Sequence, residues 1–261
     1  MTDGAKALLS VRGVTVRFGG IVALDGVSFD VPQGGVCGLI GPNGAGKTTL
    51  FNCLSRLYQY QEGDILFDGK SITPMSAHDI SKLGMGRTFQ NLAMFKTMSV
   101  ERNVMIGAHA QSSSGFTASI LGLGSVAAEE SRMRKRAAEI IDYMKLGAYS
   151  QRLVGDLPFG IQKRVEMARA LASEPKLLLL DEPAAGLNHD EMAGLEQQIS
   201  DVRDRLGITV LLVEHHMSLV MAVSQKVVVI NFGKKIAEGT PAEIQKHPEV
   251  IAAYLGAPAD A

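Results

Sequence analysis

The sequence predicts an α/β fold with a mainly parallel central sheet, an N-terminal antiparallel β part and an inserted helical subdomain. Three observations lead there. The short, near-continuous apolar runs "GVCGLI", "KLLLLDEP", "ITVLLVEHH" and "KVVVINFG" are separated by helical patterns, as in a parallel sheet covered on both faces. The earlier stretches "LLSVRGVTVRF" and "GVSFDV" instead alternate or cluster branched residues around glycine, the mark of half-buried strands. From about Val100 the pattern turns helical before the apolar runs resume.

Taken in order, residues 8–31 read as β-rich, and Gly35–Ile40 as a short buried strand that passes at once into a glycine-rich turn and a helix. "GDILFDGKSI" is strand, turn, strand. "SVERNVMIGAH" and "AAEESRMRKRAAEIIDYMKLG" are helices, the second with Met133, Ala137, Ile141 and Met144 on one face and Gly147 as its C-cap. Between them "QSSSGFTASILGLGS" is a Ser- and Gly-rich stretch that predicts a mobile loop. The next helix opens in "LPFGIQKRVEMARAL", where Pro158 has a φ suited to a first helical turn and Gly160 admits a close neighbour. Val165, Met167, Ala168 and Leu171 form its apolar stripe.

Composition excludes several classes. With 261 residues and 46% hydrophobic side chains the chain can bury a full core. Lys plus Arg is 26 against 27 Asp plus Glu, a net charge of −1, so nothing general draws it to nucleic acid or anionic lipid. Cys37 and Cys53 fit a reducing compartment and no metal-ligand spacing. No secretory signal is visible, and the apolar runs are far shorter than a membrane span. A soluble, cytoplasmic protein is expected.

"GPNGAGKTT", comprising Gly41, Pro42, Asn43, Gly44, Ala45, Gly46, Lys47, Thr48 and Thr49, lies between a strand and a helix. This is the phosphate-binding loop pattern, in which backbone N–H groups cradle phosphates, Lys47 reaches the β and γ phosphates and the Thr48 hydroxyl ligates Mg²⁺. The fold class narrows to a P-loop (RecA-like) core. "LLLLDEP" ends a buried strand in two carboxylates. Asp181 suits Mg²⁺ through its water shell, and Glu182, pointing elsewhere, can orient an attacking water; the plain alternative is a surface strand end with two acids. The helix start at Leu157 to Gln162 can bind an anion through its backbone, although it lacks the hydroxyl that would improve it.

These residues together resemble the ATP-binding cassette (ABC) family over roughly Val11 to Leu255. The likeness implies ATP as ligand. It assigns Gln90 in "RTFQN" to sensing Mg²⁺ and the γ-phosphate, and His215 in "LVEHHM" to bracing the γ-phosphate and water. Phe18 stands where the family stacks an aromatic ring on adenine, with a core phenylalanine as the alternative. His216 stands where Asp is common and reads as a neighbour. "AAGLN" matches the D-loop, with Asn188 in place of the usual Asp. Leu157, Pro158, Phe159, Gly160, Ile161 and Gln162 match by position the signature L-S-G-G-Q-Q, with Pro158, Phe159 and Ile161 departing from it. In the family this element faces the P-loop of a second cassette, so a dimer with ATP between its subunits is implied.

The features "IGPNGAGKTTLFNCLSRLY", "GMGRTFQNLAMF", "VEHHMSLVM" and "PEVIAAYLG" resemble the importer branch for branched-chain amino acids. That branch implies transmembrane permease subunits, a solute-binding protein acting indirectly, and a place on the inner face of the membrane. Leu92, Met94, Phe95 and Met98 follow the Q-loop where a permease helix would dock, or else form the small core of the insert. The implied organisation is a first part of the nucleotide-binding core over residues 1–95, a helical insert over 96–156, and the signature helix, second core part and tail over 157–261. Two other readings stay open. A soluble ABC ATPase of DNA repair or translation would usually carry a second cassette or zinc and coiled-coil insertions, absent here. A non-hydrolysing cassette would not need Lys47, Asp181, Glu182, Gln90 and His215.

Overall fold

The computed structural model describes residues 6–88, 94–109 and 123–255. Two sheets carry the fold. Strands β1 (Ala7–Phe18), β2 (Ile21–Pro32), β4 (Glu62–Phe67) and β5 (Lys70–Ser71) form an antiparallel sheet in the order β2-β1-β4-β5. Strands β3 (Val36–Ile40), β6 (Met85–Arg87), β7 (Leu177–Asp181), β8 (Thr209–Val213), β9 (Lys226–Asn231) and β10 (Lys234–Gly239) form the central sheet in the order β10-β9-β3-β8-β7-β6. Its pairings are parallel except for the β9–β10 hairpin.

The two-residue period of the strands divides the core. Val36, Ile40, Leu178, Leu180, Val210 and Leu212 face helices α5 (Phe159–Ala172), α6 (His189–Leu206) and α7 (Met217–Val223). Their neighbours Cys37, Leu39, Leu177, Leu179, Leu211 and Val213 face α1 (Lys47–Leu54) and the antiparallel sheet. Every residue of β3, β7 and β8 is buried, which is why these strands read as continuous apolar runs. A short helix, α2 (Ala77–Lys82), precedes β6, and α8 (Pro241–Ile244) and α9 (Pro248–Leu255) close the described chain. No helix among the described residues is long and apolar enough to cross a membrane.

Between β6 and α5 come α3 (Val100–Ala108) and α4 (Leu123–Tyr143). Ser99 caps α3 by accepting the Arg102 N–H. Met133 packs against the core, and Ala137, Ile141 and Met144 are buried in it, as their spacing predicts. Of the predicted loop at 111–125, residues 111–122 lie outside the described ones and Leu123 to Ser125 are helical.

Two expectations are corrected. Gly147 does not cap α4. The helix ends earlier, with Lys145 in the left-handed region at φ 53. The Lys145 N–H donates to Asp142 O and the Leu146 N–H to Ile141 O, both at 2.8 Å, the paired bonds of a Schellman ending, with Leu146 buried behind them. Arg164 from α5 donates to the Met144 and Lys145 carbonyls, satisfying acceptors that a glycine cap would otherwise leave to water. Pro158, in turn, sits one position before the first helical turn. Its ψ of 149 is extended, so α5 starts at Phe159, and its carbonyl accepts from Ile161 and Gln162 at 3.0 Å each.

A left-handed conformation costs a non-glycine residue about 1–2 kcal/mol, while glycine loses about 0.4–1 kcal/mol more through unfolded-state entropy. Lys145→Gly should therefore raise the unfolding free energy by up to about 1 kcal/mol, and the β-branched Lys145→Val should lower it. Urea unfolding of both variants measures the two signs.

Candidate functional site

The central sheet delivers three loops to one edge. Parallel register pairs Leu39 of β3 with Val213 of β8, and Val213 with Asp181 of β7, so the carboxyl ends of these strands are level. Ligands of open α/β sheets bind at such an edge. After β3 the chain turns through Gly41, Gly44 and Gly46 at φ 156, 79 and 104. A Cβ on Gly41 would lie 2.0 Å from the Ile230 carbonyl oxygen, so the turn excludes any other residue there. Lys47 then opens α1. Its buried ammonium donates to the carbonyls of Gly41 at 2.7 Å and Pro42 at 2.9 Å.

A cleft of about 390 Å³ stands over this loop, lined by residues 43–49, Ile21 to Ala23, Glu182, Phe232 and Gly233. Burial lowers the pKa of Lys47, and the carboxylates of Glu182 and Asp181 act against that shift. Lys47, Thr48, Thr49 and Glu182 thus share one cleft, with Asp181 close enough to act on the ammonium. The β9–β10 turn braces the loop from behind, since Gly233 donates to Ala45 O at 3.0 Å and accepts from Asp25 at 2.8 Å.

Asp181 ends β7 with its carboxylate buried. Its Oδ2 pairs with the Arg87 guanidinium at 2.9 Å, and its N–H donates to Thr88 Oγ1. Arg87 reaches further, to Phe51 O at 3.2 Å, Asn52 Oδ1 at 3.0 Å and Ser55 Oγ at 2.9 Å. One side chain therefore ties the carboxyl end of α1 to the acid of β7. A cation there also meets the negative end of the helix dipole. Glu182 takes a left-handed conformation at φ 47, and its N–H donates to Val213 O at 2.9 Å. That sharp turn explains how consecutive acids serve different places: Asp181 points into the buried pair and Glu182 lines the cleft.

The other candidates stand apart from the cleft lining. His215 follows β8 with its side chain 48% exposed, beside His216, whose Nδ1 lies 3.0 Å from Oε2 of the buried Glu214. Phe18 is 47% exposed, with its ring edge-on to Tyr58 at 5.4 Å, which rules out the core alternative. Gln90 and Leu92 lie outside the described residues. Met94 packs on the core, Met98 is half-buried and Phe95 is 48% exposed, so the apolar group after the Q-loop position is split. The buried Asn103 clamps that segment by exchanging hydrogen bonds with the Phe95 backbone, both at 3.0 Å.

None of the residues from Leu157 to Gln162 lines the cleft. Gln162 donates to Leu157 O at 2.8 Å, and Lys163 lies over the Phe159 ring. Gly160 is a close approach within the chain itself: a Cβ there would lie 2.2 Å from Glu191 Oε1. Glu191 belongs to the capping box of α6, where Asn188 accepts the Glu191 N–H at 2.9 Å and Glu191 accepts the Asn188 N–H at 3.0 Å. Asn188 is therefore committed to starting a helix.

A family model described as ABC transporter matches residues 24–185. The chain belongs to the ABC transporter family. A second model, for branched-chain amino acid ATP-binding cassette transporters, matches residues 234–260 of this cassette. The cassette is 42% identical to the high-affinity branched-chain amino acid transport ATP-binding protein BraF of Pseudomonas aeruginosa, over 97% of this chain and 99% of that one. It is 39% identical to the LivG protein of Escherichia coli, of the same description, over the same shares. Among solved structures, a nucleotide-free ATP-binding cassette from an ABC transporter matches with a TM-score of 0.83 and 31% identity, covering 96% of this chain and 100% of that one. A cassette in its ADP conformation matches equally, with a TM-score of 0.83.

Sequence reading of this ABC cassette missed Arg87, Glu214, Asn103 and the Phe232–Gly233 turn. The available signal was weak: a charged or amide group set inside or at the end of an apolar run, which must find a partner if buried. Removing one member of a buried ion pair costs about 3–5 kcal/mol. Arg87→Met should destabilise the cassette by that order, and adding Asp181→Asn should recover only the part due to the unpaired carboxylate, since the bonds to Phe51, Asn52 and Ser55 stay lost. Denaturant unfolding of the two variants gives the comparison.

Proposed function

We propose that this cassette is the ATP-hydrolysing subunit of an importer for branched-chain or similar amino acids. It would act as a pair of cassettes on the inner face of the membrane, beneath permease subunits fed by a solute-binding protein. The observation that carries the catalytic reading is the meeting of Lys47, Thr48 and Glu182 in one cleft at the level ends of β3, β7 and β8. The solute is supported by the branched-chain amino acid transport of BraF and LivG, relatives matched over 99% of their length at 42% and 39% identity.

The donor set suits a nucleoside triphosphate. It offers a buried ammonium, a glycine loop open at Gly44, a hydroxyl and two carboxylates. On this reading Gly41 to Thr49 hold the phosphates and Lys47 offsets their charge. Thr48 and Asp181, with Gln90, would hold Mg²⁺, which when bound neutralises charge on the phosphates. Glu182 orients the water, His215 braces it, and Phe18 offers its exposed face to the base. Leu157 to Gln162 present the α5 N-terminus to the phosphate of a second cassette. A groove of about 350 Å³ lined by Leu57, Ile80, Met85, Ile106 and Arg169 suits an apolar permease helix; the exposed Phe95, which does not line it, offers a separate apolar surface.

Glu182→Gln should keep ATP binding and cut turnover by about a hundredfold or more, because one preorganised polar group is lost. An ATP-bound dimer should accumulate on gel filtration, while Lys47→Ala weakens nucleotide binding itself. Wild-type turnover in Glu182→Gln would remove that residue from the reaction.

The signature reading has its own test. Pro158→Ser adds one charge-assisted hydrogen bond, about 1.5–3 kcal/mol at best, and frees backbone at about 0.4–1 kcal/mol. ATPase activity with the membrane subunits should change less than about a hundredfold, since the net is at most about 2.6 kcal/mol. Gly160→Asp should abolish it by setting a carboxylate at the helix start. Since Glu191 lies against that position, the Gly160→Asp/Glu191→Ala double variant locates the fault. Activity restored there would trace the loss to crowding of α6 and leave the partner's phosphate out of it.

A further inference from the structure

We propose that Glu214 is a positioning residue that fixes the loop bearing Glu182 against the loop bearing His215, with His216 completing its compensation. Glu214 follows β8 and is fully buried, yet among the described residues it pairs with no lysine or arginine. Its charge is met by backbone. Oε1 accepts the Ala184 N–H at 2.7 Å, while Oε2 accepts the His215 N–H at 2.9 Å and the His216 N–H at 3.1 Å. The His216 ring adds a fourth contact, Nδ1 to Oε2 at 3.0 Å.

The two oxygens address different loops. Ala184 lies two residues past Glu182, in the turn leaving β7, and His215 and His216 form the turn leaving β8. The carboxylate is thus a strut across the edge where the reaction is proposed to occur. The Glu182 N–H to Val213 O bond at 2.9 Å is a second tie between the same loops, but it holds only backbone at the strand ends. Charge-assisted bonds to N–H groups are short and directional, so the strut limits how far the two loops can separate. A neutral amide cannot replace it. Glutamine offers one acceptor oxygen, and its NH₂ would face N–H donors on whichever side the oxygen does not serve.

The inference rests on the reading of Glu182 and His215 given above, and the test separates the two. Full-length cassette with its membrane subunits is assayed for kcat and KM for ATP as wild type, Glu214→Gln, His215→Ala and the double variant. Glu214→Gln should lower kcat by about tenfold or more and leave KM within about twofold, because the P-loop makes none of these bonds. In the His215→Ala background the same change should cost less than about twofold, since residues acting through one another are not additive. Equal losses in both backgrounds, or a rise in KM without a fall in kcat, overturn the proposal. A wild-type kcat in His215→Ala overturns instead the role of His215 itself. Should Glu214→Gln not fold, His216→Ala, whose ring is 34% exposed, carries the test. A several-fold fall in kcat at constant KM supports the strut, and an unchanged kcat removes it.

Discussion

The register of the parallel strands is the constraint on which the site depends. β3, β8 and β7 end level because Leu39 pairs with Val213 and Val213 with Asp181. A slip of one residue would turn every side chain to the opposite face and lift one loop away from the others. The divided core prevents that slip. Leu178 and Leu180 belong among the helices, while Leu177 and Leu179 belong against α1 and the antiparallel sheet. Exchanging the two sets would mispack both halves of the protein at once. Hydrophobic burial on two faces therefore sets the positions of groups that are themselves polar.

Along that edge, charge is handled in three ways. Lys47 keeps its ammonium among backbone carbonyls, close to the carboxylates of Glu182 and Asp181. Asp181 shares a buried ion pair with Arg87, which also holds the end of α1. Among the described residues Glu214 meets no lysine or arginine and takes backbone N–H groups from two loops. Each device desolvates a charge only where several fixed hydrogen bonds meet it, the condition under which burial is tolerated. Arg87 and Glu214 each tie together segments from different strands, so electrostatics here is a matter of placement as much as of stability.

What the sequence made legible follows from the range of the forces involved. The P-loop could be read because its requirement is local: glycine where backbone turns left-handed, lysine at the helix start. Buried strands could be read because both of their faces are apolar. Arg87 could not, since its partners Asp181 and Asn52 lie on other elements, and nothing in "GMGRTFQ" says which acid lies across the sheet. Glu214 was hidden beside the histidines that drew notice. At the end of α4 the error was one of competing local rules. Gly147 looked like the cap, but the burial of Leu146 and the reach of Arg164 fixed the turn at Lys145. Gly160 was rightly read as a place of close approach, although the neighbour in this chain is Glu191.

That last contact bears on the proposed need for a second cassette. The cleft over the P-loop is lined from β2, α1, the β7 end and the β9–β10 turn, and no residue from Leu157 to Gln162 reaches it. Phe159 packs toward Gly186, where a Cβ would lie 2.9 Å from its ring, and Gly160 toward Glu191. The start of α5 is thereby fastened to the loop and helix that follow Glu182. A helix N-terminus favours an anion within about its first turn, and no residue of this one lines its own chain's cleft. On the proposed reading its anion comes with a second cassette. On that reading the fastening of Phe159 against Gly186 sets the helix start serving one site beside the loop that follows the Glu182 of the other.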